Sequence, residues 1–286
     1  MIRESVAAGG FYPATASEIE NMLDKLLSDI VDLPIAVKRG NGVACGLSPH
    51  AGYYYSGKTA AHLYARLAED MPDRFIVIGP NHTGWGDPVA LMARGEWKTP
   101  MGSIPIDEDL AISIMEGSDL ISDDARAHQM EHSVEVQLPF IQYLRKDISF
   151  VPITLRLQDL DTAIEVSQAI KGAVDDNVCV IASSDLVHFG SAYGYMPFSG
   201  NESETIDWIE RNDRQVLNMV EQKDVDGLYD FVSNLNYTMC GYGAAAVSML
   251  IASQFGLGGE ILDYTTSYAK SGDPNVVVGY GSVIYR

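Results

Sequence analysis

Apolar and polar positions alternate along the chain in two distinct ways. Short, nearly unbroken apolar runs at 43–47, 74–78, 89–92, 148–155, 178–182, 260–268 and 276–285 read as strands, the most apolar of them buried on both faces. Between them, apolar residues recur at three- and four-residue spacing. Ile19, Met22, Leu23, Leu26, Leu27 and Ile30 give a first amphipathic helix, with Thr15 or Ser17 available as its cap. Further helices are expected from about 56, at 107–115, 131–144 (bent near Pro139), 160–174, 202–221, 224–234 and 244–255. Residues 96–106 read as a hairpin turning at 100–102, 2–14 as an arm, 117–128 as a polar connection and 191–201 as a loop. Strands that alternate with helices predict a parallel or mixed sheet in an α/β layered fold. No linker or internal repeat divides the chain, so 1–286 is expected to form one domain.

The strand ends change the picture from fold to chemistry. The run at 43–47 empties into Pro49-His50-Ala51-Gly52, and the run at 74–78 into Gly79-Pro80-Asn81-His82. Two parallel strands joined by a helix bring their carboxyl ends to one edge, where α/β proteins place ligands. His50 and His82 are therefore expected to face one cleft. The strand at 178–182 empties into Ser183-Ser184-Asp185-Leu186-Val187-His188, which adds a carboxylate and an imidazole in one turn. Converging imidazoles suit a divalent transition metal, because neutral imidazole is a good ligand for iron, copper and zinc.

Three cysteines stand far apart, without the spacing of a disulfide framework or zinc ribbon. Cys45 and Cys179 lie in apolar runs and read as buried thiols. Cys240 precedes Gly241-Tyr242-Gly243 at the start of an apolar helix, a place that favours thiolate and close backbone approach. His128-Gln129-Met130-Glu131-His132 matches the H-x-x-E-H pattern of an inverted zinc-peptidase helix. His128 lies at the end of a polar connection, however, so the two histidines are not expected to share a helix face. His62 reads as a surface residue, and Tyr53 to Tyr55 as the wall of a pocket. The chain lacks a G-x-S-x-G elbow, a Walker A loop and a Rossmann G-x-G-x-x-G after the first strand.

Charge and composition exclude some partners. With 19 Lys and Arg against 39 Asp and Glu, the formal net charge is −20. Such a chain repels phosphate backbones and anionic lipid, so neither nucleic acid nor membrane is an expected partner. No apolar run reaches a membrane span, and Met1 leads into charged and polar residues, which reads as no leader and a cytoplasmic location.

Several of these stretches together resemble one family. They are Gly9-Gly10-Phe11-Tyr12-Pro13, Pro49-His50-Ala51-Gly52, Gly79-Pro80-Asn81-His82, Glu131-His132-Ser133, Ser184-Asp185-Leu186-x-His188 and Cys240-Gly241. In order along the chain, they are similar to the motifs of the MEMO family (mediator of cell motility), which is itself similar in fold to LigB-type extradiol dioxygenases. The resemblance implies a three-layer α/β/α sandwich. It implies His50, His82 and Cys240 as ligands of iron or copper, His188 and Asp185 as catalytic groups, and His132 as part of the family's own motif. It also implies a metal-dependent, redox-active protein with a small molecule or peptide in the cleft; eukaryotic members are described as phosphotyrosine-peptide binders. Cys240 stands where the dioxygenases have a carboxylate, and its softer sulfur favours copper or a differently poised iron over ring cleavage. Two other readings are a metal-free binding module using the same cleft and a zinc peptidase at His128 and His132.

Overall fold

The computed structural model describes residues 1–40, 42–174 and 177–286. The chain opens with β1 (Ile2–Arg3) and α1 (Ala16–Ser28), whose N-cap is Thr15. The first βαβ unit is β2 (Ala44–Ser48), α2 (Tyr53–Leu67) and β3 (Arg74–Pro80). Next come β4 (Val89–Leu91), the hairpin β5 (Glu96–Thr99) and β6 (Gly102–Pro105), α3 (Glu108–Glu116) and β7 (Ile121–Asp123). Then follow α4 (Leu138–Leu144), β8 (Ser149–Leu155), α5 (Leu160–Ala173), β9 (Val178–Ser183) and β10 (His188–Gly190). The chain closes with α6 (Glu202–Gln222), α7 (Val225–Leu235), α8 (Tyr242–Gln254), β11 (Gly259–Thr266), α9 (Tyr268–Ser271) and β12 (Val276–Tyr285).

Four parallel strands, in the order β2-β9-β3-β8, form the centre of the main sheet. On one side β12 joins β2 antiparallel and carries β10 and β11; on the other, β4 joins β8 antiparallel and carries β7. Every residue of β2 and β9 is buried, as expected of strands covered by helices on both faces. Helices α8 and α5 pack together, with α8 against β2, β9 and β3, while α2 packs on β2, β11 and β12 and is backed by α1 and α4. The result is a mixed sheet flanked by helices, consistent with an α/β/α sandwich. A separate small sheet, β1-β5-β6, pins the N-terminal arm.

The elements differ from the sequence pattern mainly in two segments. The expected long helix over 131–144 is instead an irregular stretch, a 3₁₀ turn at Glu135–Gln137, and α4, which holds Pro139 in its first turn. Pro139 therefore starts a helix rather than bending one, since its missing N–H costs nothing there. The polar connection 117–128 contains β7 and a 3₁₀ turn at Ala125–His128.

Glu135 explains why the 131–137 segment leaves the helix. Its side chain is fully buried and paired with Arg3. Its carboxylate also accepts the N–H groups of Val6 and Ala7, at 2.9 and 3.0 Å, and the Tyr12 hydroxyl at 2.5 Å. One carboxylate thus fastens the whole N-terminal arm. A second buried carboxylate, Asp213 of α6, accepts the Tyr237 hydroxyl, the Tyr264 hydroxyl at 2.8 Å and the Val187 N–H at 3.1 Å. Burial lifts Asp213 to about 6, against the lowering pull of those hydrogen bonds.

Candidate metal centre

The turn after β2 places His50 on the carboxyl edge of the sheet, and the turn after β3 places His82 beside it. Their ring centroids are 5.3 Å apart at 80°. His132 completes the cluster: it stacks on His82 at 4.8 Å and stands edge-on to His50 at 5.4 Å. One ring nitrogen from each of His50, His82 and His132 lies within 4.8 Å of the others, so the three could hold a metal ion.

The surrounding hydrogen bonds fix the tautomers. Ser183 Oγ, at the end of β9, donates to the Ser133 carbonyl at 2.6 Å and accepts from Gln137 Nε2 at 2.7 Å. A hydroxyl has one proton, so Ser183 can only accept from His50 Nδ1, 3.0 Å away. The proton of His50 is on Nδ1, so its Nε2 presents a lone pair, 3.2 Å from the Cys240 sulfur. His82 likewise gives its Nδ1 proton to Glu131 Oε1 at 2.9 Å, while its backbone N–H donates to Oε2 at 2.6 Å. An imidazole whose second nitrogen is held by a carboxylate or hydroxyl is the usual arrangement of a metal-ligating histidine. Gly79 makes this geometry feasible, because a Cβ there would collide with Ser133 and push the 131–133 segment off the end of β3.

Burial sets the charges. It holds His50 well below its ordinary 6.5, and the neighbouring His82 and His132 push the same way. His132 is lowered too, first by burial, with Glu131 opposing. Burial alone would raise Glu131, but its bonds from His82 and the Ser133 N–H hold it at about 2. His50 and His132, held toward the neutral form beside an ionised carboxylate, are in the form that accepts a cation.

The turn after β9 brings Asp185 and His188 to the same cavity. Asp185 Oδ1 accepts the N–H groups of His50 at 2.8 Å and Ala51 at 3.2 Å. Burial raises this carboxyl, with His188 and the two backbone bonds pulling it down. His188 Nδ1 lies 3.2 Å from the Leu186 carbonyl and 3.0 Å from that of Thr238, acceptors both, so Nδ1 carries the proton and Nε2 is basic. Cys240 is here as well, its Sγ 3.2 Å from His50 Nε2 and accepting the Asp185 N–H at 3.3 Å. Gly241 permits that approach, since a Cβ would lie 2.7 Å from the Ser183 carbonyl. The helix start does not make Cys240 a thiolate by itself: burial and the nearby Asp185 push the thiol up.

His128 belongs elsewhere. It is fully buried in its 3₁₀ turn, edge-on to Trp97 at 5.5 Å, while His132 sits in the cluster. The two lie in separate turns and share no helix face. Cys45 and Cys179 are buried strand residues with raised pKa values, first because of burial. His62 is half-buried on α2. Of the expected pocket wall, Tyr55 lines the cavity, Tyr54 is exposed and Tyr53 is buried, its hydroxyl donating to the Val136 carbonyl. Sequence reasoning missed Glu131 as the orienting carboxylate and Glu135 as the arm's anchor. The alternating polar residues Glu131, Ser133, Glu135 and Gln137, all buried, were the available signal.

Fold and pocket together define an α/β protein with a histidine cluster, buried at His50 and open at His82, able to coordinate a metal ion. The chain belongs to the Memo-like protein family, whose model matches residues 3–284. A MEMO1 family protein of Pyrococcus furiosus is 40% identical over 297 residues, covering 100% of this chain and 99% of its own. Another, from Methanosarcina acetivorans, is 40% identical over 290 residues, covering 99% and 98%. A crystal structure of an uncharacterized protein from Escherichia coli K12 superposes with a TM-score of 0.53 over 84% of this chain and 98% of that one. At 14% identity it supports the fold alone. Among the described residues no helix is long and apolar enough to cross a membrane.

Proposed function

We propose that this cleft binds iron or copper through His50, His82 and Cys240, with His132 as an additional donor, and that the protein has a redox role on a LigB-like fold. The observation that carries the reading is the set of fixed tautomers, which leaves Nε2 of His50 and of His82 as lone-pair donors. Cys240 Sγ lies beside the first of them, and a cation there would displace its proton. A bound redox metal would supply an electron-transfer and Lewis-acid centre. His188, with its proton held on Nδ1 by two carbonyls, presents Nε2 as a proton acceptor. Asp185 holds the turns of His50 and Ala51 against that of His188, and together the two residues form the catalytic pair of the proposal.

Anaerobic titration with Fe(II), and with Co(II) as a spectroscopic probe, tests this. One equivalent should bind with a thiolate-to-metal charge-transfer band that Cys240→Ser abolishes. If a folded variant carrying both His50→Ala and His82→Ala keeps full stoichiometry, the site is elsewhere. The alternative is a metal-free module for a peptide or small molecule, favoured by a cavity of about 770 Å³ that extends beyond the histidines to Val276 and Asp273. It predicts ligand binding unchanged by a chelator.

A further inference from the structure

Behind His50 a chain of buried polar groups runs from α2 to the end of β9. Tyr64, Gln137 and Ser183 are each at most 1% exposed, and none of them lines the cavity. The direction of every bond in this chain is determined. The Pro49 carbonyl can only accept, so the side-chain nitrogen of Gln137, 3.0 Å away, faces it. The other end of the amide, Oε1, then accepts the Tyr64 hydroxyl at 2.8 Å. The second N–H of Gln137 goes to Ser183 Oγ at 2.7 Å, and the Ser183 proton to the Ser133 carbonyl at 2.6 Å. Ser183 is left with one lone pair for His50 Nδ1, 3.0 Å away. Gln137 therefore holds the main chain just before His50 and the hydroxyl that meets its ring.

The far side of the ring meets a rival for the proton. Cys240 Sγ lies 3.2 Å from Nε2, and a cysteine sulfur can accept a hydrogen bond as well as donate one. With its proton on Nε2, the ring would donate to that sulfur and turn no lone pair toward the cluster. Both tautomers have a partner within reach, and the hydrogen bond made by one nitrogen decides the state of the other. A Ser183 hydroxyl already engaged with Gln137 and Ser133 tips that choice. It has no proton to give, so a bare Nδ1 would leave two lone pairs facing each other in a buried place.

We propose that Gln137 and Ser183 form a tautomer lock on His50: they keep its proton on Nδ1, away from the Cys240 sulfur, so that Nε2 is open to a metal ion before the ion arrives. Both are positioning residues that act through His50. The inference deepens the reading of this cluster as a metal centre and rests on it, but the lock itself is a property of the metal-free chain.

The test is a long-range 15N–1H correlation spectrum of the metal-free protein, labelled at histidine and recorded at about pH 8, where the rings are neutral. His50 is assigned by the signals that His50→Ala removes. The parent is expected to show His50 protonated on Nδ1. In Ser183→Ala the proton should move to Nε2, and in Gln137→Met the two tautomers should mix, because the freed hydroxyl can turn its proton to the ring. Co(II) affinity by chelator competition should fall about ten-fold in Ser183→Ala. A parent with the proton on Nε2, or a Ser183→Ala or Gln137→Met variant that folds by circular dichroism and keeps the parental pattern, overturns the lock. The parent spectrum stands as a test even where a variant does not fold. Co(II) stoichiometry on the same samples separates the two readings. A locked tautomer in a parent that takes up no Co(II) refutes the metal centre alone, whereas a shifted tautomer with undiminished Co(II) affinity refutes the role of the lock alone.

Discussion

Phe11 lies nearly flat on His132, with ring centroids 4.2 Å apart at 26°. His132 is therefore held between two rings, Phe11 on one face and His82 on the other. The N-terminal arm thus forms part of the histidine cluster. Replacing Phe11 by Ala removes one face of that stack. The expected result is about 1 kcal/mol less stability toward urea and a several-fold weaker metal affinity by chelator competition. Unchanged affinity would mean that His132 is positioned by Glu131 and His82 alone.

Glu131→Gln tests the orienting carboxylate. The amide can still accept from one N–H, but it no longer holds the His82 Nδ1 proton with a charge. Metal affinity should fall about 10- to 100-fold, with the fold retained by circular dichroism. A variant with parental affinity would show that His82 is oriented without Glu131.

Glu135→Ala should be strongly destabilising. It leaves Arg3 buried and uncompensated, and orphans the Val6 and Ala7 N–H groups and the Tyr12 hydroxyl. The expected cost is about 3–5 kcal/mol in urea unfolding. A loss below about 1 kcal/mol would mean that the arm is held by the β1–β5 pairing instead.

His128 makes a pH prediction. Neither ring nitrogen has a hydrogen-bond partner, and only the Ala90 backbone approaches, outside good geometry. Burial lowers its pKa from 6.5 to about 3, with Arg3 adding to the fall. The unfolded chain therefore takes up the proton first as pH drops. This contribution to stability is intact above pH 6.5 and is lost progressively toward pH 3. Between pH 7 and about pH 4 it amounts to about 3 kcal/mol, so His128→Leu should lose correspondingly less stability than the parent over that range in urea unfolding.

The parallel centre of the sheet was legible because β2, β3, β8 and β9 are buried on both faces and so carry unbroken apolar runs. His50 and His82 were legible because each follows such a run at the same place in a βαβ unit. The segment around His132 was not. Its apolar residues Val134, Val136, Leu138 and Ile141 fit a helix, but its buried polar side chains bond to other parts of the chain and hold the backbone away from one. The short strands β7 and β10 have only three residues each, too few for a periodic signal.

Asp213 gives the cavity floor a mechanical property. It holds the Val187 N–H, between Asp185 and His188, and the Tyr237 hydroxyl, three residues before Cys240. The two turns are thus riveted to one point on α6, and moving either alone would strand a buried carboxylate. A ligand entering the cleft meets a floor that shifts only as a unit. The exposed segments carrying Tyr193 and Asp273 line the same cavity and have no such rivet among the described residues, so they are where the cleft can open.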